Sequence, residues 1–305
     1  MSRAFPDWIE QQALVARDLK MIFVPTPKVG CTSIMWAMAR AEGTAQPPSV
    51  ISARGEQSRE QTIHDPVIHG LPSLASLRPN ERIRALEDPS WVRFCVTRDP
   101  YSRLLSGWVN RVLLNSSDAL GKDLSFARES VRLDQPIDLG EAFRGFVRQL
   151  LGSNTPVIVD DHFAPQVSLI RPDDFPYTDI VKLKELSSFT ARLSASSPVR
   201  NRFQPQAMNR SLQVDPRTVF DAQTAGLVDS YFADDFTQLG YEHLEFDRVA
   251  SLMPVTKREA ELISIVREKS DRLYDLQQLN APSSTFLGRA RRVAGAVRRR
   301  VRSIR

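Results

Sequence analysis

Cysteine is scarce in this chain: Cys31 and Cys95 are the only two among 305 residues. Two thiols cannot build the disulfide framework of a small secreted domain, nor a zinc site of four ligands dominated by cysteine. Long apolar runs are also missing, and none approaches the roughly 20 residues that carry a helix across a bilayer. The opening segment holds Asp7, Glu10 and Asp18 and no apolar core of the kind a secretory signal needs. No repeat recurs at a fixed period, no long low-complexity tract interrupts the chain, and no carboxylate cluster has the spacing of a metal site. A reducing cytoplasm is the compartment these absences lead one to expect.

Hydrophobic residues make up 42% and charged residues 25%, the proportions of an ordinary globular protein. The net charge of +5 is unevenly distributed. Residues 286–305 hold eight arginines and no acid, so +5 less the tail's +8 leaves the rest at −3. The basic pI near 9.4 therefore belongs to a tail, and a nucleic-acid partner is not expected for the globular body.

Apolar runs predict strands at Met21–Val24, Val92–Val96 and Ile180–Leu183. Helices are expected over residues 31–41, 81–86, 141–151, 217–232 and 257–279, and from Tyr101, where Leu104, Leu105, Trp108, Val112 and Leu113 recur at helical spacing. The proline-rich stretch 43–80 reads as loops and short elements. Alternating strands and helices predict an α/β fold with an open, mainly parallel sheet flanked by helices. The expected organisation is an N-terminal segment (1–20), a main domain (21–247), a helical extension (248–282) and an arginine-rich tail (283–305).

Sheets of this kind bind ligands at the carboxyl ends of their strands, and both expected strand-to-helix junctions carry suitable chemistry. The first reads Pro25-Thr26-Pro27-Lys28-Val29-Gly30-Cys31-Thr32-Ser33. A helix N-terminus with free N–H groups favours a phosphate-like anion, and Lys28 adds a full charge. A plain turn with Thr32 or Ser33 as N-cap and a solvated lysine would show the same local pattern. It is not a Walker A loop, which places its lysine directly after a second glycine; here Lys28 precedes the loop's only glycine. The second junction reads Thr97-Arg98-Asp99-Pro100-Tyr101-Ser102-Arg103-Leu104-Leu105-Ser106. An arginine fork plus the Ser106 hydroxyl can grip a second phosphate; an Arg98 paired with Asp99 or another carboxylate is the plainer alternative for this junction alone.

Together, PKVGCTS and TRDPYSRLLS resemble the 5′-phosphosulfate and 3′-phosphate loops of sulfotransferases that use 3′-phosphoadenosine-5′-phosphosulfate (PAPS). The closest likeness is to the family-2 carbohydrate branch, with its P-loop-like fold. The segment Asp161-His162-Phe163-Ala164-Pro165-Gln166 resembles that branch's D-x-H-W-x-P-Q stretch, with Phe163 in place of tryptophan. Asp179–Leu186, Asn209-Arg210-Ser211 and Tyr231–Tyr241 resemble its later strand, its N-x-S and its Y-x-x-D-F-x-x-x-G-Y patterns.

The resemblance implies a PAPS-dependent O-sulfotransferase that needs no metal. The backbone around Val29, Gly30, Cys31, Thr32 and Ser33 would hold the 5′-phosphosulfate, with Lys28 stabilising charge on the leaving oxygen. Arg98 and Ser106 would hold the 3′-phosphate, and Arg103 would support the loop or contribute to it. For the general base, His69 is the first expectation, because some sulfotransferases place their histidine between these two loops. His162 is the second, and a carboxylate or no dedicated base stays open. His64 and His243 read as surface or packing residues, and both cysteines as packing residues.

The implied acceptor is a carbohydrate or a lipid-linked glycan. In the tail, Phe286, Leu287, Ala290, Val293, Ala294, Val297, Val301 and Ile304 fall at helical spacing among the arginines. That pattern suits peripheral docking on the anionic inner face of a membrane; a solvated charge run is the plainer alternative. A non-catalytic PAP(S)-binding module and a P-loop-like nucleotide kinase are the rival functions.

Overall fold

A computed structural model describes residues 7–46, 61–114, 127, 137–152, 160–206, 214–248 and 252–280. The Asn209-Arg210-Ser211 pattern and the whole tail 283–305 lie outside the described residues.

Four strands form one sheet in the order β1 (Leu14–Ala16), β2 (Met21–Val24), β3 (Val92–Thr97), β4 (Asp179–Lys182). Strands β2, β3 and β4 are parallel, with Phe23 opposite Phe94 and Phe94 opposite Asp179. Strand β1 pairs antiparallel with β2, Leu14 facing Phe23. The sheet thus begins within the first twenty residues, ahead of the expected domain start at Met21.

Strand β2 is a continuous apolar run because both its faces are covered; in β3 the buried Arg93 interrupts the run and donates Nε to Pro176 O at 2.7 Å. On one face Phe94 lies 5.1 Å from Phe23 and 5.1 Å from Phe189, ring centre to ring centre. Helix Cys31–Glu42 packs there with Met35, Trp36 and Met38. On the other face Ile22, Val24 and Cys95 bury against Ile9, Leu74, Ala85 and Ile170. A further cluster, built on Tyr101, Trp108, Phe143, Phe146, Phe163 and Val228, lies beyond the sheet.

Most expected helices form within a residue or two of their expected ends, among them Pro79–Glu87, Leu139–Leu151 and Lys257–Asn280. The helix expected over 217–232 is instead two, Pro216–Val219 and Ala222–Tyr231. Asp221 interrupts it with a capping box: its carboxylate accepts from Thr224 N at 2.8 Å, and Thr224 Oγ1 accepts from Asp221 N at 3.2 Å. Periodicity missed that break, although D-x-x-T marks a helix start. The C-terminal extension is tied to the body by Leu139 N to Met253 O at 2.9 Å and Val255 N to Ile137 O at 2.8 Å.

Candidate active site

The first junction folds as a tight turn between β2 and the helix Cys31–Glu42. Lys28 and Gly30 both take left-handed backbone angles, φ 70° and 84°, which reverse the chain into the helix. Val29, between them, is fully buried in the core and roots the turn. Gly30 is the N-cap and brings no side chain to the first turn, so no side-chain oxygen caps it; Ser33 N donates to Gly30 O at 3.0 Å. Ser33 is buried, Cys31 and Thr32 half-buried.

The second junction is brought against the first. Arg98 Nη1 reaches the Lys28 carbonyl at 3.4 Å. Its backbone is clasped by Gln166, whose Oε1 accepts from Arg98 N and whose Nε2 donates to Arg98 O, both at 2.8 Å. Gln166 is held in turn by Asp235, which also accepts from the N–H groups of Gln166 and Val167 at 2.9 Å. Asp235, rather than its neighbour Asp234, is therefore the working carboxylate of the late D-F-x-x-x-G-Y pattern. Ser106 lies half-buried on the helix Pro100–Trp108 that follows Arg98.

Arg103 staples these pieces together. Its side chain is fully buried and donates to the carbonyls of Pro27 (3.1 Å), Ala164 (2.6 Å) and Asp161 (2.8 Å). Burial lowers its pKa to about 10, against the pull of Asp235 and Asp161, so it stays charged at neutral pH. With no side chain free for a ligand, Arg103 is structural support for the loop.

Electrostatically the site is short of anions. Burial lowers the Lys28 ammonium to about 8, Arg98, Arg111 and Arg103 push the same way, and only Cys31 opposes them. Arg98 is lowered by burial too, with Asp99 and Tyr241 opposing. Among the described residues neither Lys28 nor Arg98 has a carboxylate at ion-pair distance. Half-buried, unpaired cations at an uncapped helix start fit an anionic ligand. The residues present therefore suit the phosphate groups of PAPS, and the described residues include no group of His, Cys, Asp and Glu fit to hold a metal ion.

The histidines divide by their partners. His69 is buried, and its Nδ1 accepts from Leu71 N at 2.9 Å. A backbone N–H only donates, so the ring proton sits on Nε2 and no lone pair remains to take another. Burial pushes its pKa down, Asp65 opposing. The geometry thus speaks against the first expectation for a base. His162 is half-buried and donates Nδ1–H to Asp160 Oδ1 at 2.6 Å, which leaves its Nε2 lone pair free.

Asp160 also receives the His162 backbone N–H (2.9 Å) and Arg111 Nη2 (3.1 Å). Burial alone would raise Asp160, but hydrogen bonding and charge from His162, with Arg111, hold it well below the usual carboxylate range. His64 lies 3.1 Å from Thr32 Oγ1 through its Nε2. Desolvation lowers its pKa, and the nearby His162 adds to the effect. His243 Nδ1 lies 3.1 Å from Asp229 Oδ1.

Asp160, Arg111 and His64 were missed or set aside in the sequence. The D-x-H spacing points to Asp160 rather than Asp161, one residue ahead of the segment quoted above. His162 owes its place to Gly107: a Cβ there would stand 2.8 Å from Phe163 Cε1. Only glycine lets the histidine-bearing segment lie so close to the helix.

A family model described as "Sulfotransferase family" matches residues 11–236. The chain belongs to that family. Over 96 residues, 32% of this chain, it is also 31% identical to carbohydrate sulfotransferase 10 of Pongo abelii. That stretch covers only 24% of the relative's length. No solved structure matches.

Proposed function

We propose that this sulfotransferase moves a sulfuryl group from PAPS to a hydroxyl of a carbohydrate acceptor, releasing PAP. The observation that carries the donor assignment is the pair of half-buried cations, Lys28 and Arg98, left without carboxylates at an uncapped helix start. The carbohydrate acceptor is supported by the likeness to carbohydrate sulfotransferase 10.

PAPS, when bound, supplies an activated sulfuryl group on a phosphate leaving group. The turn from Val29 to Ser33 binds the 5′-phosphosulfate through the N–H groups that the helix start leaves unbonded. Lys28 offsets the charge that develops on the leaving oxygen, a preorganised electrostatic contribution. Arg98 and Ser106 bind the 3′-phosphate. His162 takes the acceptor proton at Nε2, while Asp160 fixes its tautomer and steadies the imidazolium that forms. His64 orients the Thr32 hydroxyl at the loop.

Calorimetric titration of PAP without metal tests the donor site. Wild type should bind PAP far more tightly than 3′-dephosphorylated analogues. Arg98→Ala should weaken PAP by roughly 10- to 100-fold and erase that preference. Absence of PAP binding by wild type would overturn the proposal. Transfer of labelled sulfate from PAPS across a panel of glycans, peptides and phenols then tests the acceptor, and turnover confined to peptides or phenols would remove the carbohydrate assignment.

A further inference from the structure

We infer that Arg267, on the C-terminal helix Lys257–Asn280, is a positioning residue for the active site, acting through a π-helical turn and Arg111 on the Asp160–His162 pair. The inference rests on the assignment of His162 as base. The helix lies outside residues 11–236, the part matched by the family model.

The helix that follows Arg98 does not end as an α-helix. Over Val109–Leu113 it widens into a π-turn, closed by Leu114 N to Val109 O at 3.0 Å. A π-turn adds one residue to the turn, so it rotates every side chain relative to α-helical register. Arg111 sits in its middle, and in this register its Nη2 reaches Asp160 Oδ2 at 3.1 Å. The last carbonyls of a helix have no partner within it. Here Arg267 accepts that role: Nε donates to Leu113 O at 2.8 Å and Nη2 to Val112 O at 3.1 Å. Ser270 Oγ adds a longer bond to Leu114 O at 3.4 Å.

The C-terminal helix is shaped for this contact. Between Ala260 and Ser270 its half-buried positions are Ala260, Ile263, Arg267 and Ser270, one stripe at helical spacing, while Leu262, Ile265 and Val266 are exposed. Arginine suits two adjacent carbonyls because its donors lie in one rigid plane, and its charge complements the negative end of a helix. Lysine offers a point charge and no fork. Arg267 thus holds the turn in π register. That register keeps Arg111 on one oxygen of Asp160 and His162 on the other. Without Arg267 the turn relaxes toward α-helical bonding, Arg111 swings off Asp160, and the carboxylate no longer fixes the His162 ring.

The experiment uses the full chain labelled with ¹⁵N-histidine, whose ring nitrogen shifts report the tautomer at a pH where the rings are neutral. His162 is assigned by the signal lost in His162→Gln. Wild type should show His162 as the single Nδ1–H form. Arg267→Ala should lose that single form and give a mixture of both tautomers. With any acceptor that turns over, its kcat should fall by roughly 10- to 100-fold, the KM for PAPS staying within about twofold. Arg267→Lys should fall between the two, which keeps the test alive if the alanine variant does not fold. Ile265→Ser, on the exposed face, should match wild type. A folded Arg267 variant with His162 still wholly Nδ1–H overturns the inference. A wild type that is itself a mixture overturns the assignment of His162 as base, a separate result.

Discussion

Asp160 binds His162 twice, through the ring Nδ1–H at 2.6 Å and the backbone N–H at 2.9 Å. The carboxylate therefore fixes the position of the residue and the rotation of its ring with one side chain. The proposed base, held this way, would need no search for its productive orientation when an acceptor arrives.

Removing the base should cost catalysis and leave donor binding alone. His162→Ala is expected to lower kcat by roughly 10²- to 10⁴-fold, the usual range for general base catalysis, with PAP affinity within about twofold of wild type. Asp160→Asn should also lower kcat, because an amide can donate to Nδ1 and favour the wrong tautomer. A parallel loss of PAP affinity in His162→Ala would place that histidine on the donor instead.

Lys28 gives donor binding a pH dependence. Its pKa is lowered to about 8, so the ammonium is fully charged below that pH and lost above it. PAP affinity should fall as pH rises through about 8, and binding near pH 8 should take up protons, since an anion raises the lysine's pKa. Calorimetry in buffers of different ionisation enthalpy measures that uptake. The same shift opposes folding. A lysine whose folded pKa lies below its unfolded value of 10.5 destabilises the fold below about 8, and this is relieved as pH rises from there toward 10.5. Lys28→Met should therefore raise the Tm at pH 7 while weakening PAP, and a lower Tm would show that the ammonium stabilises the free protein.

Gly107→Ala tests the packing that places His162. The new methyl would stand 2.8 Å from the Phe163 ring, and overpacking of this kind costs about 1–3 kcal/mol. Tm should fall, and turnover should fall with it as the histidine segment is pushed off the helix. Phe163→Leu in the same chain should recover part of both. An unchanged Tm in the single variant would mean the two segments separate at no cost.

The arginine tail makes a prediction that stands apart from the active site. Full-length protein should pellet with vesicles of anionic lipid at low salt, and a chain ending at Pro282 should not. Added salt should release it, since the attraction is screened over about 10 Å at 0.1 M. Equal pelleting of the two chains would remove membrane docking from consideration.

Where burial and local chemistry carry the signal, the sequence was readable. Met21–Val24 stands out because a strand covered on both faces is apolar throughout, Val92–Val96 is apolar but for Arg93, and PKVGCTS and TRDP lie at the ends of these strands. Leu14–Ala16 was missed because three residues are too few to show a period. Arg111 was invisible because Trp108, Val112 and Leu113 fit α-helical spacing in the sequence, and nothing in Val109–Leu113 announces the added residue that turns Arg111 toward Asp160. His64 lies 32 positions from Thr32 in the chain, and no local spacing encodes that approach. By position alone His69 is the better base; the Leu71 N–H on its Nδ1, a contact between residues 69 and 71 in a tight turn, is what no motif spacing reveals.

The three carbonyls that Arg103 holds belong to Pro27, Asp161 and Ala164, brought together from widely separated parts of the chain. Loops of that length close late, since their entropy is lost before any contact compensates for it. The turn that carries Lys28 should therefore be finished only after the segment through Ala164 has docked on Arg103, so that a half-folded chain would lack the proposed donor site. Occupancy of the pocket in turn reports on the whole domain, so a nucleotide such as PAP should slow global unfolding and proteolysis, not merely protect one loop.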